Sequence, residues 1–206
     1  MRFRSLSFVA AAAAALVACS AAAPTRYHTL MPAEPPARAP AARTLAVAAV
    51  LEPIRLPAQV DKPQWLVRLP DDSVVVLEQE RWASPLRDEL RQSLREELIA
   101  GWGMTEQRPL VGERPPVRIG IDIRRFDSVI GGEVRVAGSW SLTAGNASST
   151  ATHCEWFIRE RAGGEMPSLA AAHRRAVVRL AAAVGAGLGR VSRGESAACP
   201  APDSGA

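Results

Sequence analysis

Lysine is almost missing from this 206-residue chain: Lys62 is the only one, although arginine is plentiful. Aromatic residues are scarce too, at 5% with a single tyrosine, and the net charge is only +4. A nucleic-acid surface needs Lys and Arg clustered on one face and interleaved with aromatics; no such stripe occurs. The richness in arginine and alanine reads as a coding bias, and no nucleic-acid partner is expected. Histidine is limited to His28, His153 and His173. No two of them stand at a metal-ligand spacing and there is no HExxH, so no metal is expected. No P-loop or GxGxxG is present, so any use of ATP belongs to a partner and no cofactor is expected. No GxSxG elbow exists; in Gly138-Ser139-Trp140-Ser141 the tryptophan points inward and the serines read as surface positions. The carboxylates are scattered, and Asp71-Asp72 stands in a turn signal where aspartate is common. The expected catalytic set is empty, and the expectation is a protein that is not an enzyme.

Cysteine is nearly absent as well, with three in all. The first closes a distinctive N-terminus. Arg2 and Arg4 precede an apolar stretch from Ser7 to Ala18, built from alanine with Phe8, Val9, Leu16 and Val17. It is shorter than the roughly 20 apolar residues that span a bilayer. A positive head, short apolar body and small-residue exit define a secretory signal. The exit, Leu16-Val17-Ala18-Cys19, resembles the bacterial lipobox, whose cysteine receives a diacylglyceryl group and becomes the new N-terminus. Residues 1–18 are then the signal peptide and Cys19 the lipidation site. Several acyl chains on one residue anchor a protein durably. Ser20, in place of aspartate after the cysteine, is similar to the sorting signal for the outer membrane. In an oxidising periplasm the remaining pair, Cys154 and Cys199, is expected to form a disulfide. Closing a loop of about 45 residues is worth roughly 3–4 kcal/mol on the chain-entropy account. The bland alternative is two free thiols.

Residues 19–42 are rich in Ala and Pro and read as a tether, with Tyr27-His28-Thr29-Leu30 as a strand-like island able to dock on the domain edge. Residues 43–190 read as one domain and 191–206 as a polar tail. A buried strand is expected from Thr44 to Val50, an irregular proline-bearing loop after it with a short extended piece from Gln64 to Arg68, and a strand from Ser73 to Glu80. Ser84 as N-cap, Pro85 at the first position and Asp88 and Glu89 near the positive end open a helix whose Leu86, Leu90, Leu94 and Leu98 share one face, ending at Gly101. Three alternating stretches follow: Val117 to Ile123, Val134 to Leu142 with Gly138 in an inward slot, and Thr152 to Ile158. They predict an antiparallel meander. Ser168 is expected to cap a last helix carrying Leu169, Val177, Leu180, Val184 and Leu188 on one face, weakened at its end by Gly185, Gly187 and Gly189. The fold class is therefore α/β: a single layered domain with a mixed, mostly antiparallel sheet packed by two main helices.

The run from Val67 to Leu98, with Arg81-Trp82-Ala83-Ser84-Pro85-Leu86 at its centre, resembles the ABC-type transport auxiliary lipoproteins, the PqiC-like group. Leu56-Pro57, Asp61-Lys62-Pro63-Gln64, Arg68, the strand ending in Arg125-Phe126 and Trp140-Ser141-Leu142 are similar to features of that family too. Gln59-Val60 departs where tyrosine-leucine is usual, and Lys62 where arginine is usual. The resemblance covers about residues 16–190. It implies a membrane-integrity lipoprotein on the periplasmic face of the outer membrane, an accessory subunit of a lipid transport system built around an MCE-domain protein and its inner-membrane transporter components. It also makes a homo-oligomeric ring plausible. On that reading Pro57, Asp61, Pro63, Trp65 and Arg68 line the partner-binding or self-association surface, with Trp65 exposed. Proline fixes such a loop, and Trp and Arg are frequent interface anchors. Trp82 reads as core packing at the helix start. The alternative is a periplasmic lipoprotein that itself binds and shuttles lipid or lipopolysaccharide. A periplasmic hydrolase is a third reading, requiring a nucleophile–base pair in a cleft.

Overall fold

The computed structural model describes residues 23–37, 47–106, 115–143 and 151–199. The expected lipidation site Cys19 and the segment 144–149, between the second and third alternating stretches, lie outside the described residues. Among the described residues, eight strands and two helices follow in the order β1 (Arg26–His28), β2 (Val47–Leu51), β3 (Gln64–Arg68), β4 (Val74–Trp82), α1 (Leu86–Trp102), β5 (Met104–Thr105), β6 (Val117–Ser128), β7 (Glu133–Thr143), β8 (Thr152–Arg161) and α2 (Met166–Ser192).

The strands form two sheets where one was expected. A five-stranded sheet runs β5-β2-β6-β7-β8 and a three-stranded sheet runs β1-β4-β3. Both are mixed: β2 is parallel to β5 and β6, and β1 is parallel to β4, while β3–β4 and the β6-β7-β8 meander are antiparallel. The split follows from the proline-bearing segment before β3, which carries the chain off β2 so that β3 pairs with β4. A single bridge, Arg68 to Val129, ties β3 to the end of β6. The N-terminal island does dock: Arg26, Tyr27 and His28 pair with Glu80, Arg81 and Trp82.

Period-two alternation places Ile119, Ile121, Ile123, Val134, Val136, Trp140, Leu142, Cys154, Trp156 and Ile158 on the buried face of the larger sheet. Both helices cover that face. Gly138 is there because it must be: a Cβ on it would stand 2.0 Å from the carbonyl oxygen of Asp122, beside the register shift between Ile123 and Arg125. The opposite face is polar, with Arg124 ion-paired to Glu155. Ser139, expected at the surface, is buried on that polar side, whereas Ser141 is half-buried.

Leu86, Leu90, Leu94 and Leu98 line the buried stripe of α1. Its ends differ from expectation by one or two residues. Pro85 is the N-cap, because Ser84 uses both its amide and its hydroxyl to donate to Glu89 Oε1, at 3.1 and 2.7 Å. The stop is Gly103, in the left-handed region at φ 67°, rather than Gly101. In α2 the N-cap is Glu165, and Ser168 instead accepts a hydrogen bond from the Gly163 amide at 2.6 Å. The glycines do not fray this helix, which continues to Ser192. They permit close approach: a Cβ on Gly185 would stand 2.2 Å from the Trp102 ring of α1. The tail after α2 returns to the sheet through a disulfide between Cys154 and Cys199.

Candidate docking loop and the aromatic core behind it

The segment between β2 and β3 is more ordered by hydrogen bonds than its prolines suggest. Glu52 and Arg55 donate their amides to Ile119 and Ile121, so the chain continues along β6 for several residues. Ile54 is buried at 1%. A tight turn follows, in which the Val60 and Asp61 amides both donate to the Pro57 carbonyl, at 3.1 and 3.2 Å. Val60 is buried beneath it, and the Asp61 carboxylate pairs with Arg87 of the first turn of α1. Pro63 keeps its ring exposed while its carbonyl accepts the Trp82 amide at 2.9 Å. The loop is thus fastened to β6, α1 and β4, and leaves Ala58, Gln59, Asp61 and Pro63 exposed.

The five residues singled out from sequence do not form one patch. Pro57, Asp61 and Pro63 sit together at the end of the domain where α1 begins. Arg68 lies at the other end of β3, where Nε and Nη2 donate to the two carboxylate oxygens of Asp127, both at 3.3 Å. Trp65 is not exposed: it retains 1% of its surface. The reason is alternation. Trp65 and Val67 are the two inward positions of β3, and the strand crosses the end of β6.

Behind the loop lies a column of rings. Trp65 stacks on Trp82 at 3.9 Å and 22°, and Phe126 stacks on His173 at 4.0 Å and 10°. The two pairs meet edge to face, with Trp82 6.1 Å from Phe126, while His28 approaches Trp65 at 5.2 Å. Ser128 Oγ accepts the Trp65 Nε1 hydrogen at 2.9 Å and contacts His173 Nε2 at 2.8 Å. Trp82 is core, as its place at the helix start suggested.

A serine 2.8 Å from a histidine invites comparison with a nucleophile–base pair. The geometry here lacks what that chemistry needs. Ser128 and His173 are 2% and 0% exposed, and the hydroxyl is already engaged by an indole. His173 Nδ1 has no partner, so no acid orients the ring. Burial pushes the imidazole pKa down to about 3, leaving a neutral ring. The pair sits in packed core rather than in a cleft.

Sequence reasoning missed Glu89. It is buried at 4%, and its carboxylate accepts from the Leu30 amide at 2.8 Å, Thr29 Oγ1 at 2.6 Å and both Ser84 donors. This carboxylate ties the segment after β1 to the start of α1. Its position three after Leu86 and one before Leu90, on the apolar stripe, was the available signal. Phe126-Asp127-Ser128, three consecutive buried residues, escaped because alternation describes one covered face, and here β3 and α2 cover both.

What these observations define is an α/β domain with a fastened N-terminal strand and a rigid loop at one end. The family model described as the ABC-type transport auxiliary lipoprotein component matches residues 28–185, and the chain belongs to that family. Two crystal structures share the fold. Protein XCC0632 from Xanthomonas campestris, ascribed to the family model DUF330, superposes with a TM-score of 0.62 at 16% identity, covering 82% of this chain and 98% of that one. A second, described as an uncharacterized protein, gives 0.61 at 15% identity, covering 79% and 97%. No curated protein matches the chain. Among the described residues, no helix is long and apolar enough to cross a membrane.

Proposed function

We propose that the mature protein begins at a lipidated Cys19 on the periplasmic face of the outer membrane. There it serves as a non-catalytic docking subunit for an MCE-domain protein of a PqiABC-like lipid transport system, together with that system's inner-membrane components. The observation that carries this reading is the polarity of the domain. β1 is parallel to β4, so the chain enters from the end that holds the β3–β4 turn. β3 is antiparallel to β4, so the loop bearing Pro57, Asp61 and Pro63 lies at the other end. The tether and the loop point in opposite directions, as an anchored adaptor facing an incoming partner requires. Trp65 then acts from behind, stacking on Trp82 to hold the loop's exit, and Arg68 belongs to the opposite end. A ring of several copies would present the loops together around one axis.

A lipid shuttle needs a cavity for an acyl chain. Among the described residues, the space between Trp65, Trp82, Leu86 and Phe126 holds about 10 Å³, room for a single water. A hollow of about 360 Å³ beside α1 is lined by Asp88, Arg91, Gln92, Arg95 and Glu106, and one of about 240 Å³ under the tail is bordered by Thr152, Glu195 and Ser196, so both are open and bear polar groups where an acyl chain needs apolar walls. The docking reading therefore fits better.

Affinity capture from detergent extracts is the test. The wild-type chain is expected to recover an MCE-domain protein, and Asp61→Arg with Pro63→Ala to lose it while keeping the native circular dichroism. Repeated recovery of no MCE-domain protein would overturn the proposal. Cys19→Ala is expected to shift the folded domain out of the outer-membrane fraction.

A further inference from the structure

The β3–β4 hairpin ends in a place that the docking role does not use. Val74 is 46% exposed, Val75 39% and Val76 37%, three consecutive large apolar residues in solvent. Val74 and Val76 share an outward face with half-buried Leu66, which pairs with Val76 across the ladder. Among the described residues, β1 covers the edge of β4 only from Glu80 to Trp82, and no strand pairs with the backbone edge from Val74 to Leu77. The larger sheet is treated differently. There Arg175 and Arg179 donate to the outward carbonyls of Arg161 and Arg159 on β8, at 2.6 and 3.2 Å.

The length of chain before β1 selects the occupant of the valine patch. Thr25 still lies alongside β4, its hydroxyl donating to Gln79 at 3.1 Å. From Thr25 back to Cys19 the chain can reach roughly 20 Å when fully extended. From Gln79 to the turn at Asp72, β4 also runs roughly 20 Å. An anchor at Cys19 therefore holds the turn end of the hairpin close to the bilayer surface, because the tether reaches about that far and little farther.

We propose that the outward face of the hairpin, Leu66, Val74 and Val76, is a second membrane contact that lies against the lipid at the headgroup–acyl boundary. This inference rests on Cys19 being the lipidated N-terminus proposed above. The charge of the hairpin selects the lipid: Arg68, opposite Val74 on the same face, is already paired with Asp127, so Asp71 and Asp72 at the turn leave the hairpin net negative and disfavour an anionic surface, and the contact suits zwitterionic headgroups. Apolar side chains at such a boundary add to an acyl anchor and fix the orientation of the domain, which the anchor alone leaves free. The docking loop, at the opposite end of the hairpin from its turn, is then held in one orientation relative to the membrane.

The experiment uses the lipidated full chain in phosphatidylcholine vesicles. With Cys19 acylated and Cys154 bridged to Cys199, a cysteine introduced by Val74→Cys is the only free thiol and accepts a bimane label. Gln59→Cys, in the exposed loop at the far end, is the control. Brominated phosphatidylcholine is expected to quench most of the fluorescence at 74 and none at 59. Intact mass of the extracted protein reads the acylation separately. An acylated protein whose label at 74 stays unquenched overturns the hairpin contact and leaves the anchor standing. A mass without acyl chains overturns both. Protection of the Val74–Leu77 amides from exchange in lipid-free oligomers, without quenching in vesicles, assigns the edge to a second copy and overturns the membrane contact.

Discussion

The indole of Trp65 lies on that of Trp82, their centroids 3.9 Å apart and their planes within 22°. One ring comes from the strand that leaves the proline-bearing loop and the other from the residue just before the turn into α1. The loop's geometry and the helix's position are therefore one packing problem. Trp82→Ala is expected to cost about 3–5 kcal/mol, the range for deleting a buried large aromatic. Trp65→Phe keeps a ring on the stack but loses the bond to Ser128 and part of the indole's volume, so about 1–3 kcal/mol is expected. Urea denaturation at neutral pH separates the two; similar losses would mean that stacking does not dominate.

Glu89 gathers four donors in a buried site. Glu89→Gln keeps the volume but turns an acceptor oxygen into an amide NH2 that faces donors. The expected loss is about 1–3 kcal/mol, the cost of unsatisfied buried polar groups. The signature is local: the Leu30 amide and β1 should exchange hydrogen faster, with the β6-β7-β8 meander unchanged.

His173 titrates at about 3 in the folded chain because it is wholly buried, against 6.5 for an exposed imidazole. Between those values the unfolded chain binds a proton that the folded chain refuses. Stability from this group is therefore complete above pH 6.5 and declines as pH falls toward 3. From pH 6.5 to pH 5 the loss is about 2 kcal/mol, at about 1.4 kcal/mol per unit. His173→Phe should remove this part of the slope of urea midpoint against pH. An unchanged slope would assign the acid sensitivity elsewhere.

At Gly138 the obstacle to any side chain is backbone, the Asp122 carbonyl, and not a movable side chain. Gly138→Ala must open the β6–β7 ladder at its bulge. A loss of about 1–3 kcal/mol is expected, as for other overpacked interiors. Gly101→Ala, where a Cβ meets nothing within 4 Å, should be neutral or stabilising in a thermal melt.

Much of this architecture was legible because periodicity reports one covered face. The leucines of α1 and the alternation through β6, β7 and β8 follow from it. What was hidden depends on a second layer. Trp65 looked exposed because a tryptophan between prolines reads as a loop anchor, and no local pattern says that β3 will lie across the end of β6. Glu89 looked like a dipole-stabilising surface acid until the segment after β1 arrived over it. Ser84 was assigned to the cap because spacing cannot show that its hydroxyl has a better acceptor. The separation into two sheets was invisible for the same reason: strand pairing is decided by the path of the connection, and only the strands themselves are periodic.

The guanidinium groups of Arg175 and Arg179 on the outward carbonyls of β8 have a bearing on crowding. Molecules confined to a surface meet one another far more often than the same number in solution, and in matching orientations. A bare strand border would then be a seed for runaway sheet growth between neighbours. With two of its acceptors taken from within, and the disulfide-bound tail lying over its first residues, that border gives a colliding neighbour little to pair with.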